Sequence, residues 1–210
     1  MAVPDPPRSL RPRIITWQAE RAFNRIHPLR HHATQFHSAS KATVNGRFHF
    51  FENADGVVVP VLYGAETIDA AIAEIVFRKV PVRAAPRLLP VEDFAGLALS
   101  VITPARPLVL IELLGHGLRR LGLVAEELTS TGAPEYPRTV TWAQRLHEAE
   151  PSADGIVWMS RQFNAAQALM LFGDRIEQRE LDVSEPLNLS RGRGFTLIEN
   201  AANAADIILT

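Results

Sequence analysis

Residues 47–78 read RFHFFENADGVVVPVLYGAETIDAAIAEIVFR, and this stretch decides the fold class. Its first five residues, Arg47 to Phe51, are aromatic-rich and suit a strand. Asp55-Gly56 is a turn signal, and Val57 to Tyr63 follows as a second β-branched run. Pro60 interrupts that run and lacks a backbone donor, so the run belongs at an edge or a bulge. The pattern then changes. Thr67 can cap a helix over Ile68–Arg78, with Asp69 in the first turn where the helix dipole favours negative charge, and Pro81 ends it. Strand, turn, strand and helix thus follow one another within 32 residues.

Outward from this stretch the same signals recur without a regular strand–helix rhythm. Ala22 to Ile26 reads as a short strand before Pro28, and residues 29–46 as a long polar loop rich in His and closed by Asn45-Gly46. Leu97–Thr103 and Leu108–Leu114 read as strands parted by Pro104 and Pro107, and Gly117–Leu121 as a short helix. A longer helix runs from Pro137 to Glu148, with Trp142 and Leu146 on one face. Gly155–Met159 is a buried-type strand, 176–183 one more, and Phe195–Leu209 a closing helix. The absence of a βαβ rhythm predicts an α+β fold rather than a doubly wound sheet. Residues 1–15, rich in Pro and Arg, are expected to form a flexible tail, and 16–210 a single domain.

Composition narrows the function classes. The 210 residues are 47% hydrophobic and 21% charged, as in ordinary globular proteins. Cysteine is absent, which excludes disulfides, thiolate nucleophiles and zinc–cysteine sites. No apolar run is long enough to span a membrane, and MAVPDPPRSLRPR lacks the apolar core of a secretory signal, so a cytoplasmic location is expected. The net charge of −1 hides an asymmetry: residues 1–47 carry eight basic and two acidic side chains, a net of +6, leaving −7 on the rest. That points to a solvated basic segment or to arginines that meet an anionic ligand. A pI near 6.7 speaks against direct nucleic-acid binding.

Several motifs are weak. Gly115 and Gly117 precede a short helix, but Arg120 stands where a dinucleotide fingerprint needs a third glycine. The histidines at 27, 31, 32, 37 and 49 have no regular metal-ligand spacing. Ser190–Gly194 (SRGRG) suits a phosphate nest or a plain turn. Glu74 is more informative. On a helical wheel Ile68, Ile72, Ile75 and Val76 share one face and Glu74 lies opposite, one turn before Arg78, as in a surface ion pair. Yet Ala70, Ala73 and Phe77 also lie on that far side, so the helix is apolar nearly all round. A carboxylate there is either paired or employed.

Taken in order, these pieces resemble the RES-domain family. The ordered set is Phe23-Asn24-Arg25-Ile26-His27, Gly46-Arg47-Phe48, Leu62-Tyr63-Gly64-Ala65, Ala71-Ile72-Ala73-Glu74, and Gly155-Ile156-Val157-Trp158-Met159-Ser160-Arg161 followed by Leu171-Phe172-Gly173. Trp142 matches a recurrent aromatic on the preceding helix. The resemblance covers about residues 20–185; Phe48 stands where Trp is common, and Gly64 interrupts the usual Tyr-Leu-Ala. It implies a fold similar to ADP-ribosyltransferases, with a split, mostly antiparallel β core and flanking helices. It also implies the toxin of a toxin–antitoxin pair that degrades NAD⁺ and is silenced by a helix-turn-helix antitoxin of the Xre type. Catalytic roles are implied for Glu74, Arg47 and Ser160, and contacts to NAD⁺ for Arg25, Arg47, Tyr63 and Ser160. No metal or cofactor is implied, because NAD⁺ is the substrate, with water or inorganic phosphate as acceptor. A protein ADP-ribosyltransferase on the same fold and a non-catalytic binding module remain the alternatives, and homodimer and hetero-complex are both open.

Overall fold

The computed structural model describes residues 2–38 and 46–210. In chain order the elements are β1 (Ile14–Trp17), β2 (Phe23–Pro28), β3 (Phe51–Glu52), β4 (Val58–Val59), β5 (Val61–Ala65), α1 (Ile68–Ile75), β6 (Leu88–Leu89), β7 (Leu97–Pro104), β8 (Leu108–Glu112), α2 (Gly115–Arg120), α3 (Tyr136–Ala149), β9 (Gly155–Met159), β10 (Gln167–Phe172), β11 (Leu181–Val183), β12 (Leu187–Asn188), α4 (Gly192–Ala204) and β13 (Ile208–Leu209). The main sheet runs β1-β8-β9-β10-β5-β2-β7-β11, with β12 also on β7, and only β8 and β9 are parallel within it. The fold is therefore α+β with a mixed, mostly antiparallel sheet and four helices, as the sequence pattern and the resemblance led us to expect.

The sheet is nearly divided. β10 pairs β5 over five residues and β2 pairs β7 over six, but β5 and β2 share one registered pair, Asn24 with Ala65. Further along β5 the backbone of His37 bridges Val61 instead. Among the described residues no strand pairs the edge of β5 from Leu62 to Gly64 between these two ties. One face of the sheet carries a core that spans both halves, including Trp17, Phe23, Leu62, Ile102, Leu108 and Leu169. The other face carries two separate cores. One packs α3 on β9 and β10 through Trp142, Leu146, Ile156 and Met170; the other packs α1 and α4 on β2 and β7 through Ile72, Ile198, Ile26 and Leu99.

Thr67 caps α1 as expected, its Oγ1 accepting from the Ala70 N–H at 3.2 Å. Other expectations need correction. Arg47 and Phe48 lie in a turn, not in a strand, which begins only at Phe51. Their backbone groups are claimed by side chains: the Phe48 N–H donates to Tyr63 Oη, and the Arg47 carbonyl accepts from Thr139 Oγ1. The run Val57–Tyr63 divides at Pro60, β4 pairing β3 and β5 pairing β10, because proline cannot supply the ladder donor. The helix expected over Ile68–Arg78 ends at Ile75 and continues as a 3₁₀ turn over Phe77–Lys79. The closing helix starts and stops earlier than its composition suggested, at Gly192–Ala204, and the chain then forms β13, parallel to β6. Of the strand expected over 176–183 only Leu181–Val183 is one. β1 and β10 were not foreseen. Much of the 29–46 loop, with Asn45, lies outside the described residues. Near the N-terminus Val3 is fully buried, and the Trp142 indole N–H donates to the Pro4 carbonyl at 2.7 Å.

Gly64 departs from the family pattern for a packing reason. A Cβ at this position would sit 2.3 Å from Cδ2 of Phe23, a ring with no exposed surface. Gly64→Ala is therefore expected to cost about 1–3 kcal/mol by forcing that ring aside, read as a lower urea midpoint at unchanged slope.

Candidate active site

A cavity of about 380 Å³ opens where the sheet divides, a size ordinary for small-molecule sites. Five successive residues of β2, Asn24 to Pro28, line it. Alternating side chains of a paired strand face opposite ways, so consecutive residues meet one cavity only along an unpaired edge. From β5 come Val61, Tyr63 and Gly64, from α1 a stripe of Ala71, Glu74 and Ile75, and from the 3₁₀ turn after it Arg78. These spacings of three and four put one face of α1 over the gap. Ile75, placed on the apolar face by the helical wheel, stands at this cavity and is exposed.

Glu74 is fixed by three donors on one oxygen. Its Oε1 accepts from Ser160 Oγ at 2.6 Å, from the Arg161 N–H at 2.8 Å and from the Gln162 N–H at 3.3 Å. No described residue donates to Oε2. Ser160 is 1% exposed, does not line the cavity, and accepts from the Phe163 N–H at 3.0 Å. Its position follows from the tight turn after β9, where the Ser160 N–H donates to the Ala166 carbonyl. Ser160 thus stands behind Glu74 and orients it.

The cations around this carboxylate are unusual in what they lack. Arg47 is 7% exposed; its Nη2 donates to the Thr131 carbonyl at 3.2 Å, and its Nε has no partner among the described residues. The Arg161 Nη1 donates to the same carbonyl at 2.8 Å, so two guanidinium groups converge on one oxygen. Arg25 donates from Nη2 to the Gln35 carbonyl, while Nη1 is buried without a described partner. None of Arg25, Arg47 and Arg161 is ion-paired to a carboxylate of a described residue. Burial pulls Arg25 down to about 10. Burial also lowers Arg47, partly offset by Tyr136 and Glu74. Both remain charged at neutral pH, in a site that withholds water from them. Burial drives the Tyr63 phenol upward, so it stays neutral and serves as a hydrogen-bonding aromatic wall.

The structure therefore brings Arg25, Arg47, Tyr63 and Glu74 to one cavity, with Ser160 behind Glu74. Sequence reasoning missed Tyr136, whose ring stands 5.8 Å from the Arg47 guanidinium carbon, because Pro137 masked it as a helix start. It also missed Trp158, which the GIVWM run marked as core; its ring meets Tyr63 edge-on at 6.2 Å. Among the histidines, His27 uses both ring nitrogens, Nδ1 to the Pro28 carbonyl and Nε2 to Ser100 Oγ at 2.9 Å. A carbonyl only accepts, so Nδ1 carries the proton and Nε2 accepts from the serine.

Burial first of all lowers the pKa of His27, His37, His49 and His147. The unfolded chain protonates these groups near pH 6.5, before the folded chain does. Their neutral-state contribution is whole above that pH and is lost as pH falls toward the lowered folded values. The urea midpoint is expected to drop between about pH 7.5 and pH 5.5, a window in which carboxylates stay ionised.

Residues 22–190 match the model of the RES domain family, and the chain belongs to that family. Its fold is similar to a chain in the crystal structure of the M. tuberculosis MbcT–MbcA toxin–antitoxin complex, with a TM-score of 0.61 at 15% identity, covering 90% of this chain and 92% of that one. Among curated proteins the search finds no match.

Proposed function

We propose that this protein is the toxin of a toxin–antitoxin pair and that it breaks the nicotinamide–ribose bond of NAD⁺. The observation that carries the reading is Glu74, held through Oε1 by Ser160 and the turn after β9, over a cavity in which Arg25, Arg47 and Arg161 pair with no carboxylate of a described residue. Cleavage of this bond builds positive charge on the ribose, as in glycoside cleavage. A fixed carboxylate stabilises that charge without reorganising, and this reading assigns that role to Glu74 Oε2. Arg25 and Arg47 suit the pyrophosphate, for which planar, forked cations are well shaped. Tyr63 and Trp158 supply aromatic walls for the flat rings, and Ser160 positions Glu74. The C1′–N bond breaks with its electron pair passing to the pyridine nitrogen, so nicotinamide leaves neutral and needs no acid. An oxygen of water or of inorganic phosphate then bonds C1′, and a water acceptor gives up its proton to solvent.

The neighbour's complex, described as toxin with antitoxin, supports an antitoxin partner for this chain; a helix-turn-helix antitoxin of the Xre type fits the family resemblance. No helix among the described residues is long and apolar enough to cross a membrane, and a cytoplasmic setting suits a consumer of NAD⁺. The test follows NAD⁺ loss and nicotinamide release by purified, antitoxin-free protein, with and without phosphate. We expect equal amounts of both, with ADP-ribose or its phosphate ester as the other product. Absence of release from folded protein overturns the reading, and transfer of labelled ADP-ribose to a protein makes it a protein ADP-ribosyltransferase.

A further inference from the structure

The histidines are left over from this chemistry, and two of them converge. The backbone of His37 is clamped to Val61, its N–H donating at 2.7 Å and its carbonyl accepting at 3.0 Å. Its ring meets the edge of His49 at 5.1 Å, and the His49 ring lies 4.2 Å from Phe50. Both imidazoles line the cavity, as does Arg25. His49 is 5% exposed, and its Nε2 has no partner among the described residues, like Nη1 of Arg25. Buried polar nitrogens without partners are costly, and two of them in one cavity, bridged by His37 on which Arg25 acts and which acts on His49, mark a place prepared for acceptors.

We propose that Arg25, His37 and His49 form a phosphate-group subsite at the His37–Val61 end of the cavity, and that filling it protonates the imidazoles. The charges acting on the two rings are all of one kind. Arg25 from β2 and His31 from the preceding segment act on His37, and His37 acts on His49; no carboxylate of a described residue does. Also near are His27 on β2, whose pKa burial lowers, and the neutral Tyr63 on β5, whose Oη and His49 Nδ1 both stand close to Gly46. An arriving anion supplies the missing counter-charge and favours the imidazolium forms, which turns each ring nitrogen into a donor. A cation does not fit, because a guanidinium shares the group and no metal-binding set of three occurs among the described residues. The phosphate group has two sources, the dinucleotide itself or free phosphate. The inference rests on the proposed function only for the identity of that natural ligand.

The test is calorimetric binding of sulfate and of ADP-ribose at about pH 7.5 and pH 5.5, in paired buffers of different ionisation enthalpy. Neither ligand titrates in this window, so protons taken up on binding pass from the buffer to groups of the protein. The ligand that fills the subsite is expected to bind about tenfold tighter at the lower pH, with net proton uptake. Both effects are expected to vanish in the His37→Asn/His49→Asn variant, and to shrink in His37→Asn alone, a substitution of an exposed side chain that spares the core. The response of sulfate alone assigns the subsite to free phosphate; that of ADP-ribose, displaced by sulfate, assigns it to the dinucleotide. Binding of both ligands without proton uptake, or uptake that survives in the variants, overturns the proposal. Since neither ligand is turned over, failure to cleave NAD⁺ leaves this result standing, and cleavage without proton-linked binding removes the subsite alone.

Discussion

In the Glu74→Gln variant, nicotinamide release from NAD⁺ is expected to fall roughly 10²- to 10³-fold, the usual cost of deleting one fixed electrostatic group. The amide keeps the shape of the side chain. Its oxygen can still accept from Ser160 Oγ and the Arg161 N–H, so the turn after β9 and the seat of α1 are retained. What disappears is the negative charge facing the developing cation. The loss is expected in kcat, with ADP-ribose affinity within a few-fold of the parent, because that ligand carries no positive ribose. A parent-like kcat in folded Glu74→Gln removes the carboxylate from the chemistry.

The second large effect is on stability and lies far from the cavity. Arg106 grips Asp154 with both forks, Nη1 to Oδ2 at 2.8 Å and Nη2 to Oδ1 at 2.7 Å, while its Nε reaches Glu180 Oε1 at 2.7 Å. Asp154 is 5% exposed and also accepts the Val109 N–H at 2.8 Å. Its backbone bonds to Val109 and Phe172 tie β8 and β10 at the start of β9. Removing the cation strands a buried carboxylate, which typically costs about 3–5 kcal/mol. Arg106→Met is expected to lose that much in urea unfolding at pH 7. The Arg106→Met/Asp154→Asn double variant is expected to regain most of it, since the neutral amide carries no buried charge. An equal loss in the double variant assigns the effect to packing of the arginine stem.

How much of this was legible in the sequence depends on which groups spoke locally. Thr67 and Asp69 announce the start of α1, and Pro60 announces a break, because caps and missing donors act within a few residues. The α+β class follows from the same signals. β10 was silent: Gln167–Phe172 is buried on both faces, so it shows no alternation, and its Ala, Leu and Met suit a helix equally. Arg47 reads as a strand residue until Thr139 and Tyr63, distant in sequence, take its carbonyl and the N–H of Phe48. The site is legible one residue at a time only through the family resemblance. Glu74 looks like half of a surface pair on a wheel, and nothing local reveals that Ser160 stands behind it. Tyr136 and Trp158 carry no signal that separates a cavity wall from a core.

The single rung between β5 and β2 has a mechanical consequence. The sheet amounts to two panels on a shared pin. α1 is rooted in the core of one panel, and through Glu74 it is hooked to the end of β9 on the other. The carboxylate is therefore a strut as well as a charge. It sits on the joint itself, so the spacing of the two panels sets the aim of Glu74, and the core shared by both panels on the opposite face keeps that spacing.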